Sequence, residues 1–412
     1  MQVDFTSQEY FRDPAAGIEK LRAGGPVIQV RFPMVGRVWI VTTYALASRV
    51  LKDSETFTIQ KDGAVAGYRW WTPGILRAIT HNMMTVDEPD HTRLRGIVDE
   101  AFRRRAILEM EPRVLAIADD LAGQLFAAGS PADLVERYAR QLPLKVVCEL
   151  LGLPPADRAL FETWAGRFTR ITGPVGLLTM VPTLHAMKRY LEQHLDTVRR
   201  VGGEGLIADL VRIEQGGDRL SAGEAVAMVF MLFAASAETT THLIAGSVYE
   251  LLRNPGLRDW LAADWDRAEP AVEEFLRFCA PGQFSNPRFV QKDVDLAGVR
   301  VGKGERIMAM LAGANFAPDA NAEPARLDLE RQPNRQLAFG AGPHFCLGHQ
   351  LARIEGKCAL QALFRRWPDL ELGVADAKIR WASRPGLRAM TELPVRQRGR
   401  DSSGMIRPKV AS

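Results

Sequence analysis

Between Ala225 and Ala237 the chain reads AVAMVFMLFAASA, thirteen residues without a charge. A helix that is apolar on every side must be enclosed by protein, so this run demands a core large enough to surround it. It falls short of the roughly 20 apolar residues that a bilayer crossing needs. The chain can supply such a core: of 412 residues, 47% are apolar and 25% charged, the balance of an ordinary globular protein. The run then passes directly into Glu238, Thr239, Thr240 and Thr241. Thr hydroxyls bond back to helix carbonyls and bend the axis, so this step reads as a helix end or a kink.

Other segments fall into place around that helix. PVIQVRF and VWIVTT are β-branched runs parted by PMVGR, a strand pair with its turn. Leu94, Val98 and Phe102 recur every four residues, and stretches around 107 to 127, 134 to 152, 157 to 170 and 183 to 213 share that helical period. Gly202, Gly203, Gly216 and Gly217 punctuate them. Apolar residues alternate about Gly298 and Gly302 in VDLAGVRVGKGE, which predicts a small hairpin. The expected fold is mainly α with small β-sheets. No internal repeat or long Pro/Ser-rich linker divides it, so residues 1–395 read as one domain and 396–412, polar and basic, as a disordered tail.

A net charge of +4 is too small and dispersed for a nucleic-acid surface. The first residues, MQVDFTSQEYFRDP, lack the order of a secretory signal, and no membrane segment is expected, so the expected location is the cytoplasm. Cys148, Cys279, Cys346 and Cys358 lie far apart without CxxC spacing, which argues against structural zinc and a disulfide framework. Cys148 and Cys358 fall within apolar helical patterns and read as core thiols.

Cys346 is different. It stands in FGAGPHFCLGHQLAR, where Gly340, Gly342 and Gly348 allow a tight loop. Behind it, Leu347, Leu351, Ile354 and Cys358 recur at helical spacing, so the loop delivers the sulfur to a helix N-terminus. Unpaired N–H groups and the positive dipole end there favour an anionic sulfur, and a thiolate is expected.

With Phe339, Gly340, Gly342, His344, Cys346 and Gly348 filling its haem-binding signature, and Ala352 continuing it, the sequence resembles the cytochrome P-450 family. The resemblance implies a single haem-binding domain of that fold and haem b (iron protoporphyrin IX) as cofactor, with Cys346 as the iron ligand and His344 beside a propionate. His91 and Arg95, one helical turn apart in DEPDHTRLR, repel each other unless an anion lies between them. The resemblance makes them propionate partners, with Arg288. Glu274 and Arg277 share a helix face and would ordinarily be a solvated pair. In the family such a pair holds the haem core together with a later Arg, here matched to Arg326.

Glu238 and Thr239 match the acid and Thr that the family carries on its longest helix over the haem, which implies proton delivery and a monooxygenase using O2. Ser236 stands where the family usually has Gly. Asn315, in ANFAPDA, lies in a second departure, expected to touch loop packing and not chemistry. The mapped substrate pocket comprises Trp70, Trp71, Ile79, Phe233, Ala237, Phe284 and Met390, whose bulk implies a small, largely hydrophobic substrate. Arg77, His81, Gln283, Ser285 and Asn286 are candidate anchors for a polar end. Electrons would come from a separate ferredoxin or flavodoxin with its reductase, attracted by bases including Arg103, Arg104, Arg105, Arg353 and Lys357. The rival readings are a haem-thiolate enzyme that uses peroxide or does not oxygenate, which typically lacks the acid and Thr pair, and a haem-binding protein without turnover.

Overall fold

The computed structural model describes residues 4–33, 35–61, 64–65, 81–102, 104–168, 173–215 and 220–398. At its centre the apolar run belongs to one 32-residue helix, Ala222–Arg253. Ser221 caps it: its hydroxyl accepts from the Glu224 N–H at 3.3 Å, and the Glu224 carboxylate accepts from the Ser221 N–H at 2.8 Å. The helix does not end at the polar step. Thr239 and Thr241 donate to the carbonyls of Ala235 and Ala237, at 2.8 and 2.5 Å, so their hydroxyls are satisfied within the helix. Its length and composition would also suit a membrane crossing. It is instead a core helix, with every residue from Thr240 to Leu251 buried.

The helices Gln141–Leu151, Ala268–Cys279 and His349–Arg366 pack on this axis, and Glu111–Gln124 lies against the last of them. The periodic stretch expected over 183 to 213 is two helices, Gly173–Val201 and Leu206–Gln215, separated where Gly202 and Gly205 take positive φ. The predicted strand pair is Val27–Phe32 against Gly36–Val41, antiparallel from Val27↔Val41 to Phe32↔Gly36. It extends through Arg306–Ala309, Arg288–Val290 and Phe57–Thr58 into a five-stranded sheet, with the Arg306–Ala309 strand parallel to its Gly36–Val41 neighbour. The predicted hairpin joins Val294–Leu296 to Val299–Val301 through Ala297 and Gly298, at φ 53° and 83°, the left-handed pair a two-residue turn requires. A second sheet joins Leu370–Leu372, Pro394–Gln397 and Ala132–Asp133. Its middle strand runs past the expected boundary at residue 395, and 399–412 of the expected tail lie outside the described residues.

Glu274 and Arg277 are fully buried, with Arg277 Nε and Nη2 each 2.7 Å from the Glu274 carboxylate. A buried ion pair persists only if its remaining donors and acceptors are met. Here Arg277 also donates to the carbonyls of Asn315, Pro324 and Arg326, and Glu274 accepts from the Asp328 N–H and the Asn334 amide. The third side chain is Arg331, whose Nε lies 3.2 Å from both Glu274 oxygens. Arg326 was expected in that role, but its guanidinium is exposed and pairs with Glu323, and only its carbonyl joins the network. Asn315 couples the network to the cysteine loop, accepting from the Leu337 N–H at 2.7 Å.

Candidate functional site

The loop before Cys346 is shaped by its glycines. Gly340 and Gly342 stand at φ 70° and 72°, and a Cβ on Gly342 would lie 2.5 Å from the Leu51 carbonyl oxygen. Cys346 N–H closes the loop on the Phe339 carbonyl at 2.9 Å, and Arg95 Nη1 donates to the Phe345 carbonyl at 2.7 Å. Directly after it, Gly348 caps the helix His349–Arg366, as the spacing predicts. The electrostatic expectation needs correction. Burial pushes the Cys346 thiol up, and the Gly348 N–H, Arg95 and Arg353 oppose that shift without reversing it. A helix end alone does not ionise this sulfur; a coordinated cation deprotonates a thiol outright.

The sulfur lines a cavity of about 280 Å³, shared with His91, Arg95 and His344. His91 is buried, its Nδ1 3.3 Å from Glu88 and its ring centroid 4.3 Å from that of His344. Burial, then His91 and Arg288, press the His344 pKa to about 3. Burial likewise lowers Arg288 to about 10; its Nη1 reaches the Phe57 carbonyl at 3.2 Å, while its Nε is buried without a partner. Four basic side chains thus converge, one with a spare donor. A large flat group with carboxylates at one edge fits them, and a soft-metal centre fits the lone sulfur. Among the described residues no cluster of three His, Cys, Asp or Glu offers a competing metal site.

Ala235, Ser236, Thr239 and Thr240 of the central helix line the same cavity. Glu238 does not. It lines a separate cavity with Arg140, Phe233, Ala237 and Thr241, where Arg384 pairs with it and His242 Nε2 lies 3.5 Å away. Burial alone would raise the Glu238 carboxyl, but hydrogen bonding from His242 and the charge of Arg384 hold it below its ordinary range. Successive helix positions differ by about 100°, so adjacent residues serve different spaces.

Phe233 and Ala237, mapped to the substrate pocket, therefore lie on the Glu238 side. Phe284 and Met390 line neither cavity: the Phe284 ring packs 5.1 Å from those of Phe5 and Phe32, and Met390 is buried in a bridge to Trp381. Trp70, Trp71, Ile79 and Arg77 lie outside the described residues. Among the polar candidates, Gln283 is buried and bound by the Tyr10 hydroxyl, Ser285 donates to the Asn286 carbonyl, and His81 is exposed. Arg353 is ion-paired with Glu273, and Lys357 with Glu111 and Glu269, so neither presents a bare charge. Arg103 and the side chains of Arg104 and Arg105 lie outside the described residues. Sequence reasoning missed Arg331 and Glu355; the latter lines the Cys346 cavity from the cysteine helix.

Comparison with known proteins bears on this geometry directly. The cytochrome P-450 family model matches residues 184–368. The chain is 37% identical to the cytochrome P-450 monooxygenase PikC of Streptomyces venezuelae, over 96% of this chain and 94% of that one. It is also 37% identical to the vitamin D(3) 25-hydroxylase of Pseudonocardia autotrophica, covering 96% of each. Among solved structures, a myxobacterial cytochrome P-450 in complex with myristic acid superposes with a TM-score of 0.88 at 33% identity, over 96% of this chain and 99% of that one. Likeness at this level of identity extends over nearly the whole length, and the chain belongs to the cytochrome P-450 family of haem monooxygenases.

Proposed function

We propose that Cys346 ligates the iron of haem b and that His91, Arg95, Arg288 and His344 hold its propionates. The observation that carries this is one cavity lined by Cys346, His91, Arg95 and His344, with Arg288, whose Nε is buried without a partner, near enough to act on His344. Haem held by Cys346 would supply O2 activation with two electrons and two protons, one oxygen atom going to the substrate and the other to water. This chain provides position and protons. Thr239 holds a hydroxyl at the cavity wall, and Glu238, kept ionised by Arg384 and His242, exchanges protons on the far side of the same helix turn.

The substrate is a small, largely hydrophobic organic molecule. The cavity wall formed by Met83, Met231, Leu232, Leu243 and Phe102 supports this, as do relatives named as a vitamin D(3) 25-hydroxylase and a mycinamicin IV hydroxylase/epoxidase. The electron donor is a separate ferredoxin or flavodoxin, the location is cytoplasmic, and residues 1–395 act as one domain. Ser236, whose hydroxyl has no hydrogen-bond partner among the described residues, lines the Cys346 cavity.

The test is the carbon monoxide difference spectrum of the reduced protein. A thiolate signature that disappears in Cys346→His, with haem retained, is expected; the same spectrum in both proteins excludes Cys346 as ligand. Peroxide supplied without a donor should turn over far less product than O2 with a reductase system.

A further inference from the structure

Two of the basic side chains that line the Cys346 cavity each have a carboxylate behind them. Arg95 Nε lies 3.0 Å from both oxygens of Asp99. Arginine keeps its charge whatever stands beside it, so Asp99 only aims it. His91 is different, because a neutral imidazole carries one hydrogen and either nitrogen can hold it.

Glu88 settles which. Its Oε1 lies 3.3 Å from His91 Nδ1, and its Oε2 accepts from the Thr92 N–H at 3.1 Å. That second bond ties the carboxylate to the start of the helix Asp90–Ala101, which limits how far a half-exposed side chain can swing away from a buried ring. Hydrogen bonding from Thr92, and after it from His91, outweighs burial and holds the Glu88 carboxyl below its ordinary range. An ionised carboxylate only accepts, so the hydrogen of His91 sits on Nδ1 and the lone pair on Nε2. A lone pair repels an incoming carboxylate. To bind one, Nε2 must take a proton, and the ring becomes a cation in the first turn of a helix, where the positive end of the dipole opposes it. Arg95, one turn on, opposes it as well. Glu88 supplies the compensating charge at the other nitrogen.

We propose that Glu88 is a positioning residue for the haem: by holding a hydrogen on His91 Nδ1 and balancing the charge of the ring, it makes Nε2 the donor that a propionate meets. The inference rests on the chain's reading as a haem protein with His91 at the propionate edge. One proton passes from solvent to Nε2 as the haem binds, and no covalent bond of the haem changes. A ring bound at both nitrogens is fixed in plane as well as in charge.

The test uses the full-length, haem-loaded protein in its diamagnetic ferrous carbon monoxide form, with isotope-labelled histidine. Only seven histidines contribute to the nitrogen spectrum, so His91 can be identified by its loss in His91→Gln. Near neutral pH its ring should carry hydrogen on both nitrogens, and in Glu88→Gln on one. Haem transfer to an acceptor protein should be roughly tenfold faster in Glu88→Gln, the lower end of what removing a histidine's outer partner costs. His91→Gln should be faster still, and adding Glu88→Gln to it should change nothing. A carboxylate that merely caps the helix would speed haem loss by the same factor with or without His91. Equal factors in the two backgrounds therefore overturn the proposal. If Glu88→Gln does not fold, the wild-type ring decides: hydrogen on Nε2 alone overturns it. Haem held as tightly by His91→Gln as by the wild type would instead overturn the propionate reading of His91, so the two failures are distinguishable.

Discussion

His242 lies one turn beyond Glu238, fully buried, with its Nδ1 lacking a partner. Burial lowers its pKa, and although Glu238 pulls upward, Arg140 and Arg384 add to the depression. Its folded value lies below the roughly 6.5 of an unfolded chain, so on acidification the unfolded state takes up a proton first. Stability is therefore lost as pH falls below about 6.5. Urea unfolding should show the wild type losing more stability than His242→Gln between about pH 7.5 and 5.5; equal losses would rule this group out. Arg288→Gln should weaken haem binding by about 1.5–3 kcal/mol, the worth of a hydrogen bond to a charged group, as read by haem transfer to an acceptor protein. At this scale Cys346 was legible because its signals are contiguous in the chain. Glu238 and Thr239 were legible as a pair, but not as residues facing different cavities, since that depends on what packs on each side of the turn. Glu355 was invisible: the stripe of Leu347, Leu351, Ile354 and Cys358 locates the apolar face, and only tertiary packing shows that the next position is buried too.

For helices and loops, the consequence lies in which arginine reaches Glu274. Arg331→Ala should cost about 3–5 kcal/mol in denaturant unfolding, because it takes a cation from a buried network. Arg326→Ala should stay within about 0.5 kcal/mol, since its exposed side chain meets only Glu323 and its carbonyl remains. Reversed magnitudes would restore the match to Arg326 that the resemblance implied. That match fails because a loop's side-chain directions follow no period, unlike the helix that sets Glu274 and Arg277 three apart. Ser221→Ala should cost about 1 kcal/mol, the loss of one reciprocal cap. Continuity of the central helix through Glu238 was not readable from hydroxyl content, because the same Thr groups that suggest an end are satisfied by carbonyls one turn back.

The whole molecule's stability is linked to its cofactor by mass action. At a thousandfold excess over its Kd, haem should stabilise the fold by about 4 kcal/mol, so scanning calorimetry of the haem-free chain should show a lower midpoint that rises on adding haemin. The fold class was readable because helical periods dominate and the strand runs are short. The partnership of distant strands was not, since nothing local links residue 133 to residue 393. Yet the Leu393 N–H bonds the Asp133 carboxylate, and Val395 pairs with Ala132 across that gap. A ribosome must therefore emit residues 394–397 before the second sheet can form. Until then Ala132–Asp133 lacks its partner strand, and a chain stopped short of Pro394 would leave that edge open to proteases.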